Sequence, residues 1–183
     1  MPNPAYEAIS ADLRFPIGRY HSVREISSDQ REEWIRELEA LPGNLRSAVA
    51  GLSQTQLDTP YRPGGWTVRQ VVHHLPDSHI NSYCRFRLAL TEHTPMVKTY
   101  EESLWAELPD ARNSAVEPSL VLLEGLDGRF TALLRSMTEA DFSRAFLHPE
   151  LGEIRLDWTL GLYAWHSRHH VAHITNLRLR EGW

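Results

Sequence analysis

Cysteine is almost missing from this chain. Cys84 is the single one in 183 residues, so no intramolecular disulfide can form and a cysteine-rich zinc site is excluded. Any metal must be held by His, Asp or Glu. No apolar run approaches the roughly 20 residues that cross a bilayer. The opening residues, MPNPAYEAISADLRF, lack the basic start, apolar core and small-residue cleavage site of a secretory leader. The expectation is a cytoplasmic protein with no membrane partner. A dense Lys/Arg block is also missing, and the formal net charge is -5. Nucleic acid is therefore not an expected partner, because phosphate-backbone binding rests on clustered positive charge. There is no solenoid repeat, low-complexity tract or long charge run. With 42% hydrophobic residues, the chain reads as one domain, residues 1–183, large enough to bury a sizeable core.

Hydrophobic periodicity places helices along most of that length. Residues 1–27 carry prolines and scattered aromatics without helical spacing and read as an extended N-terminal arm. Ser27 to Gln30 then offer capping chemistry. Trp34, Leu38, Leu41, Leu45 and Val49 recur at spacings of three and four, marking a first helix bent or interrupted near Pro42. After the turn-rich run from Asp58 to Gly65, Thr67 and Gln70 form a capping box for a second helix that ends before Pro95. Pro95 to Pro118 reads as a long connection with a short helical piece around Glu102 to Glu107. Pro118 suits the first turn of a third helix, carrying Leu120, Leu123, Leu126, Phe130 and Leu134 to about Met137. Phe146–His148 and Glu153–Leu156 fit a short hairpin or an irregular loop. Asp157 then caps a last helix with Leu160, Tyr163, Ser167, His170, Ile174 and Leu177 along one side. The fold class is all-α, a four-helix bundle whose long crossover joins helices two and three.

The feature that calls for an explanation is histidine. Seven of the ten histidines fall in two short segments, His73, His74 and His79 on the second helix and His166, His169, His170 and His173 on the last. Residues four apart on a helix sit about 6 Å apart along its axis, so His166 and His170 can aim at one point, and so can His169 and His173. That spacing alone is common, and Ser167 stands where a zinc-protease motif needs Glu. A second helix crossing the same core raises the prospect of three nitrogen ligands with an open position, the pattern of a catalytic metal. Core or surface imidazoles held by hydrogen bonds fit the same spacing. Periodicity does not choose among His73, His74 and His79.

The run from Leu57 through Pro-Tyr-Arg-Pro-Gly-Gly-Trp66-Thr-Val to His74-Leu75, followed by Gly161 to Ile174 with Trp165-His166 and His169-His170, resembles the YfiT-like branch of the DinB superfamily over nearly the whole chain. The resemblance implies an up-down-down-up four-helix bundle. It also implies one divalent ion, zinc or nickel, on His74, His166 and His170, and a homodimer. Pro76, two residues after His74, departs from the family pattern and removes a helix donor. Members are labelled metal-dependent hydrolases on the strength of the site, while better-characterised relatives use a low-molecular-weight thiol. The expected function is therefore a metal-dependent thiol S-transferase that conjugates a small-molecule thiol, bacillithiol above all, to an electrophile. Coordination to a divalent ion deprotonates a thiol at neutral pH.

Two alternatives accompany it, a metal-dependent amide or ester hydrolase, which normally wants a nearby carboxylate base, and a non-catalytic metal-binding stress protein. Asp77 and Asp157 are base or supporting candidates with solvated roles expected. Trp66 reads as a packing anchor, Cys84 as a buried thiol, and Arg69, Arg85 and Arg168 as solvated side chains able to meet a carboxylate.

Overall fold

The computed structural model describes residues 12–23 and 25–183. The proposed arm thus falls partly outside the described residues, and residues 12–23 form turns without helix or strand. Four long helices follow: α1 (Ser28–Val49), α2 (Val68–Thr91), α3 (Glu117–Ser136) and α4 (Leu156–Glu181). An antiparallel hairpin, β1 (Ala145–His148) and β2 (Gly152–Arg155), precedes α4 and pairs Phe146 with Ile154. Short helical turns at Gln54–Leu57, Glu102–Trp105, Pro109–Asn113 and Glu139–Phe142 fill the connections. No described helix is long and apolar enough to cross a membrane.

Side-chain pairs between helices fix their directions. Arg135 near the end of α3 binds Glu32 and Glu39 early in α1, and Arg46 late in α1 binds Glu117 at the start of α3, so these two run antiparallel. Glu37 meets Arg168 while Ala48 meets Arg178, so α1 and α4 run parallel. Ser78 and Tyr163, with His74 and His166, make α2 antiparallel to α4, and His73–Ser119 with His79–Asp127 make α2 parallel to α3. The order is up-down-down-up. Parallel α2 and α3 require a return over the length of the bundle, which the crossover between Glu92 and Val116 supplies.

The ends of α2 are set locally. Thr67 accepts from the Gln70 amide at 3.1 Å while the Gln70 side chain accepts from the Thr67 amide at 2.9 Å, a complete capping box. The Gln70 amide group then donates to the Ala106 carbonyl at 2.7 Å, tying the crossover to the helix start. Arg69 is buried, not solvated as its charge led us to expect. Its guanidinium reaches Asp58, the Ser114 carbonyl and Gln54 at 2.7–2.8 Å and so locks the preceding turn in place.

Two other sequence expectations are corrected. α1 continues through Pro42 without interruption, because one missing donor is outweighed by the apolar stripe on both sides of it. α4 begins at Leu156 with Arg155 at the N-cap, and Asp157 lies inside the first turn, where it takes the Trp158 amide at 2.8 Å and the Arg155 guanidinium at 2.6 Å. Asp157 is buried by this pairing, not solvated.

The core falls into two apolar clusters. One gathers Trp34, Leu38, Phe86, Phe130 and Leu160 near the hairpin, and the other Leu45, Val71, Leu75, Leu123 and Ile174 at the opposite end. Between them α2, α3 and α4 contribute a buried polar layer that includes His79, Asp127 and Ser167. The close approach of α1 and α4 depends on Gly161, where a Cβ would come within 2.8 Å of Trp34 and 2.9 Å of the Tyr20 hydroxyl.

Candidate metal centre

Each histidine of the second helix has a different destination, which resolves what periodicity left open. His73 turns to α3, with Nδ1 2.7 Å from Ser119 Oγ and Nε2 3.3 Å from the Ser114 carbonyl. His79 is fully buried, with Nδ1 2.8 Å from Asp127 Oδ1 and Nε2 3.3 Å from Ser167 Oγ. His74 alone of the three meets histidine nitrogens on the last helix, where its Nε2 lies 3.2 Å from His166 Nε2. His170 Nε2 is 3.1 Å from the same atom. α2 passes through Pro76 without a break, and His74 still meets the two histidines of α4.

The ligand atoms of His74, His166 and His170 all lie within 4.8 Å of one another. Three facing nitrogens make a poor hydrogen-bond set, because an imidazole Nε2 either donates or accepts and His166 Nε2 faces two partners at once. The spacing suits a cation instead. Two nitrogens each about 2.0–2.1 Å from a tetrahedral ion are separated by about 3.3 Å, close to the two distances observed. Burial also selects the ligand form. It pushes His74 down to about 3, helped by repulsion from His79 and His169, and pushes His166 and His170 well below the ordinary histidine value, with repulsion from neighbouring rings adding to it. All three are therefore neutral at physiological pH, as metal coordination requires. The residues fit one divalent ion.

The three rings form part of the wall of an open cavity of about 520 Å³. Trp66 lies over it, tilted against His74 with centroids 4.7 Å apart and near-parallel to His170 at 6.2 Å, so the expected packing anchor also lines the site. Its position follows from the tight turn after Pro60, where the Tyr61 amide donates to the Trp66 carbonyl at 3.0 Å. Gly65 is required in that turn, since a Cβ would come within 2.7 Å of the Arg62 side chain. Opposite, the Tyr163 hydroxyl donates to the Ser78 carbonyl at 3.1 Å, and Tyr100 comes in from the crossover.

His169 and His173 flank the trio without joining it. His169 stacks on Trp165 at 4.5 Å and His173 on Tyr61 at 3.8 Å. Burial holds His169 down at about 4 and His173 at about 3.

The acidic candidates do not reach the three rings. Asp77 is half-buried and is raised to about 6 by desolvation and by Asp110, while Asp157 is engaged with Arg155. Glu102, exposed at the rim, is the carboxylate on the cavity wall among the described residues. Cys84 is exposed and not the buried thiol expected, and Arg168 is paired with Glu37 at 2.8 Å. Periodicity did not single out Ser78, Tyr100 or Arg62, which also line the cavity.

Comparison with other proteins places the fold in a known family. Residues 37–174 match the model of the DinB superfamily. "Putative metal-dependent hydrolase YfiT" of Bacillus subtilis (strain 168) is 54% identical over 175 residues, which is 95% of this chain and 98% of that one. A "Putative metal-dependent hydrolase" of Bacillus cereus (strain 03BB102) is 55% identical over 172 residues, 94% and 99% of the two chains. The solved structure of Bacillus subtilis YfiT, described as "a probable metal-dependent hydrolase with an unusual four-helix bundle topology", superimposes with a TM-score of 0.91 at 53% identity, covering 93% of this chain and 98% of that one. The polar layer, the three converging imidazoles and these relatives lead to one assignment: this chain is a member of the DinB superfamily.

Proposed function

We propose that the chain is a metal-dependent hydrolase acting on a small molecule, with His74, His166 and His170 holding one divalent ion, zinc or nickel, beside the cavity. The observation that carries this reading is the meeting of three Nε2 atoms at the wall of an open cavity. The reaction class is supported by the names of relatives more than half identical to this chain. An ion held there supplies Lewis acidity, lowering the pKa of a bound water and polarising a carbonyl or similar group.

The chain's own residues do the rest. Trp66 and Tyr163 cover the histidines with aromatic surface and narrow the approach of bulk water. Ser78 and Tyr100 present hydroxyls along one wall that orient a polar substrate. Glu102 is the available proton acceptor for an attacking water and would return that proton to the leaving group.

Thiol transfer is the second reading, favoured by the lack of a carboxylate held against the three rings among the described residues. Among the described residues no carboxylate hydrogen-bonds to any of the three rings, and Glu102 sits at the rim. A low-molecular-weight thiol such as bacillithiol needs no protein base once coordination has acidified it. The test runs both reactions on one preparation. Metal-loaded and chelator-stripped protein are assayed against a panel of amides and esters, and in parallel for conjugates of bacillithiol, glutathione or cysteine with a generic electrophile. Metal-dependent hydrolysis without conjugation supports the first reading, and metal-dependent conjugation replaces it with the second. Neither activity, with one ion bound, would leave a binding role.

A further inference from the structure

The wall of the cavity that begins at His74 continues along one face of α2. Relative to His74, Ser78 is four residues on and Arg85 eleven. At 3.6 residues per turn these positions fall about 40° and about 20° round the helix from it. All three side chains line the same cavity. The Cα of Arg85 is displaced from that of His74 by about 16 Å along the axis, so the histidine and the arginine enter the cavity from points on α2 about three turns apart.

Arg85 stands apart from the arginines that serve the fold. Arg69, Arg135 and Arg168 each meet a carboxylate at 2.7–2.9 Å. The Nε of Arg85 is buried and has no hydrogen-bond partner among the described residues. Arg62, across the cavity, shows the same pattern at Nε and gives one other nitrogen to the Pro63 carbonyl. With exposed Glu102 these are the formally charged side chains on the wall, leaving positive charge in excess. A half-buried guanidinium that lines a cavity and meets no carboxylate leaves its planar fork to match an oxyanion.

We propose that Arg85, with Arg62 as the second cation of the cavity, binds an anionic oxygen group of the substrate, so that the natural substrate is an elongated molecule with its reacting bond at the three histidines and a carboxylate or phosphate at the far end. This rests on the reading of the histidines as the reacting end. Arg85 is a specificity residue in this scheme, without part in bond breaking.

The test separates the two ends of the ligand. The monohydroxamates of glutaric, adipic, pimelic and suberic acid carry a metal-binding head and a carboxylate tail, and the matched terminal amides differ only in tail charge. Their affinities for metal-loaded wild type, Arg85→Gln and Arg62→Gln are measured by calorimetry, with Tm as a check on folding. Alkyl carboxylates and alkyl phosphates without the head are titrated against the metal-free protein. At the best chain length the acid should bind wild type on the order of tenfold more tightly than its amide. That ratio should collapse towards one in Arg85→Gln while amide binding is unchanged. In the headless series, a shift in Tm that Arg85→Gln abolishes supports the proposal, and the stronger of the two anions identifies the tail.

An acid-to-amide ratio near one in folded wild type, a preference that survives in Arg85→Gln, or no binding of either series would overturn it. A head group that gains nothing from the metal, alongside an Arg85-dependent tail preference, would instead remove the three-histidine reading and leave the anion site standing.

Discussion

His74 Nε2 and His166 Nε2 face each other across the α2–α4 contact at 3.2 Å. The pair joins two antiparallel helices through atoms that, lacking a cation, can share at most one proton between them. A divalent ion bound here would therefore link α2 to α4 and should raise Tm with the logarithm of free metal concentration above its Kd. Replacing His170 by Ala should abolish tight, stoichiometric metal binding and the metal-induced gain in Tm, while far-UV circular dichroism stays helical. Replacing His169 or His173 should cost far less binding. Full occupancy in His170→Ala, measured by elemental analysis after gel filtration, would sink the assignment.

Acid should destabilise the metal-free protein at mildly low pH. His74 and His173 are held by burial at about 3, and His169 at about 4, against an ordinary value of 6.5. The unfolded chain therefore takes up protons that the folded one refuses, and stability falls as pH drops from 6.5 towards 4 and continues to fall to about 3. Above 6.5 both states are neutral at these positions and the effect vanishes. Urea midpoints across that range should slope downwards with acid, and His169→Gln should flatten the upper part of the slope. A flat profile in the metal-free wild type would contradict the buried neutral histidines.

The bundle was legible from the sequence because its helices carry clear apolar stripes with Thr67, Pro118 and flanking turns to punctuate them. The hairpin was read alongside an equally good loop, because only the packing of Phe146 and Ile154 into the core distinguishes the two. At Pro42 the helix is not interrupted, because propensity describes an isolated helix and here the packing of Leu38, Leu41 and Leu45 carries it through. At the site, the resemblance placed His74 where periodicity could not, since choosing it over His79 depends on Asp127 of another helix. Arg69 was misread for the same reason, as its three partners come from sequence-distant segments. Arg85 carried a readable signal in its eleven-residue offset from His74, although the offset gains meaning only once a cavity is known to lie along that face.

Gly161 and Gly125 make a matched pair of substitutions. At Gly161 a Cβ would stand 2.8 Å from the Trp34 ring and 2.9 Å from the Tyr20 hydroxyl, and Trp34 belongs to the apolar core. Gly161→Ala should cost about 1–3 kcal/mol through overpacking. Gly125, on the exposed side of α3, would meet nothing within 4 Å, so Gly125→Ala should gain about 0.5–1 kcal/mol from helix propensity. Chemical denaturation of both variants checks this, and equal signs for the two would show that the α1–α4 contact yields more readily than its distances indicate.

His79 and Asp127 form a second buried polar contact, separate from the three converging rings but in the same layer. The Asp127 carboxylate accepts from His79 Nδ1 at 2.8 Å, both side chains are almost wholly shielded from solvent, and Asp127 Oδ2 has no partner among the described residues. Removing the carboxylate in Asp127→Ala would leave the imidazole donor unsatisfied and should cost about 1–3 kcal/mol. Asp127→Asn retains an acceptor of the same shape and should recover part of that loss. His79 also sits against Tyr163, which lines the cavity, with ring centroids 5.4 Å apart. If the contact serves packing alone, both variants should bind metal as wild type does once folded. A loss of metal affinity in Asp127→Ala, with normal circular dichroism and restored by Asp127→Asn, would show instead that the pair holds the α2–α4 spacing that His74 and His166 require.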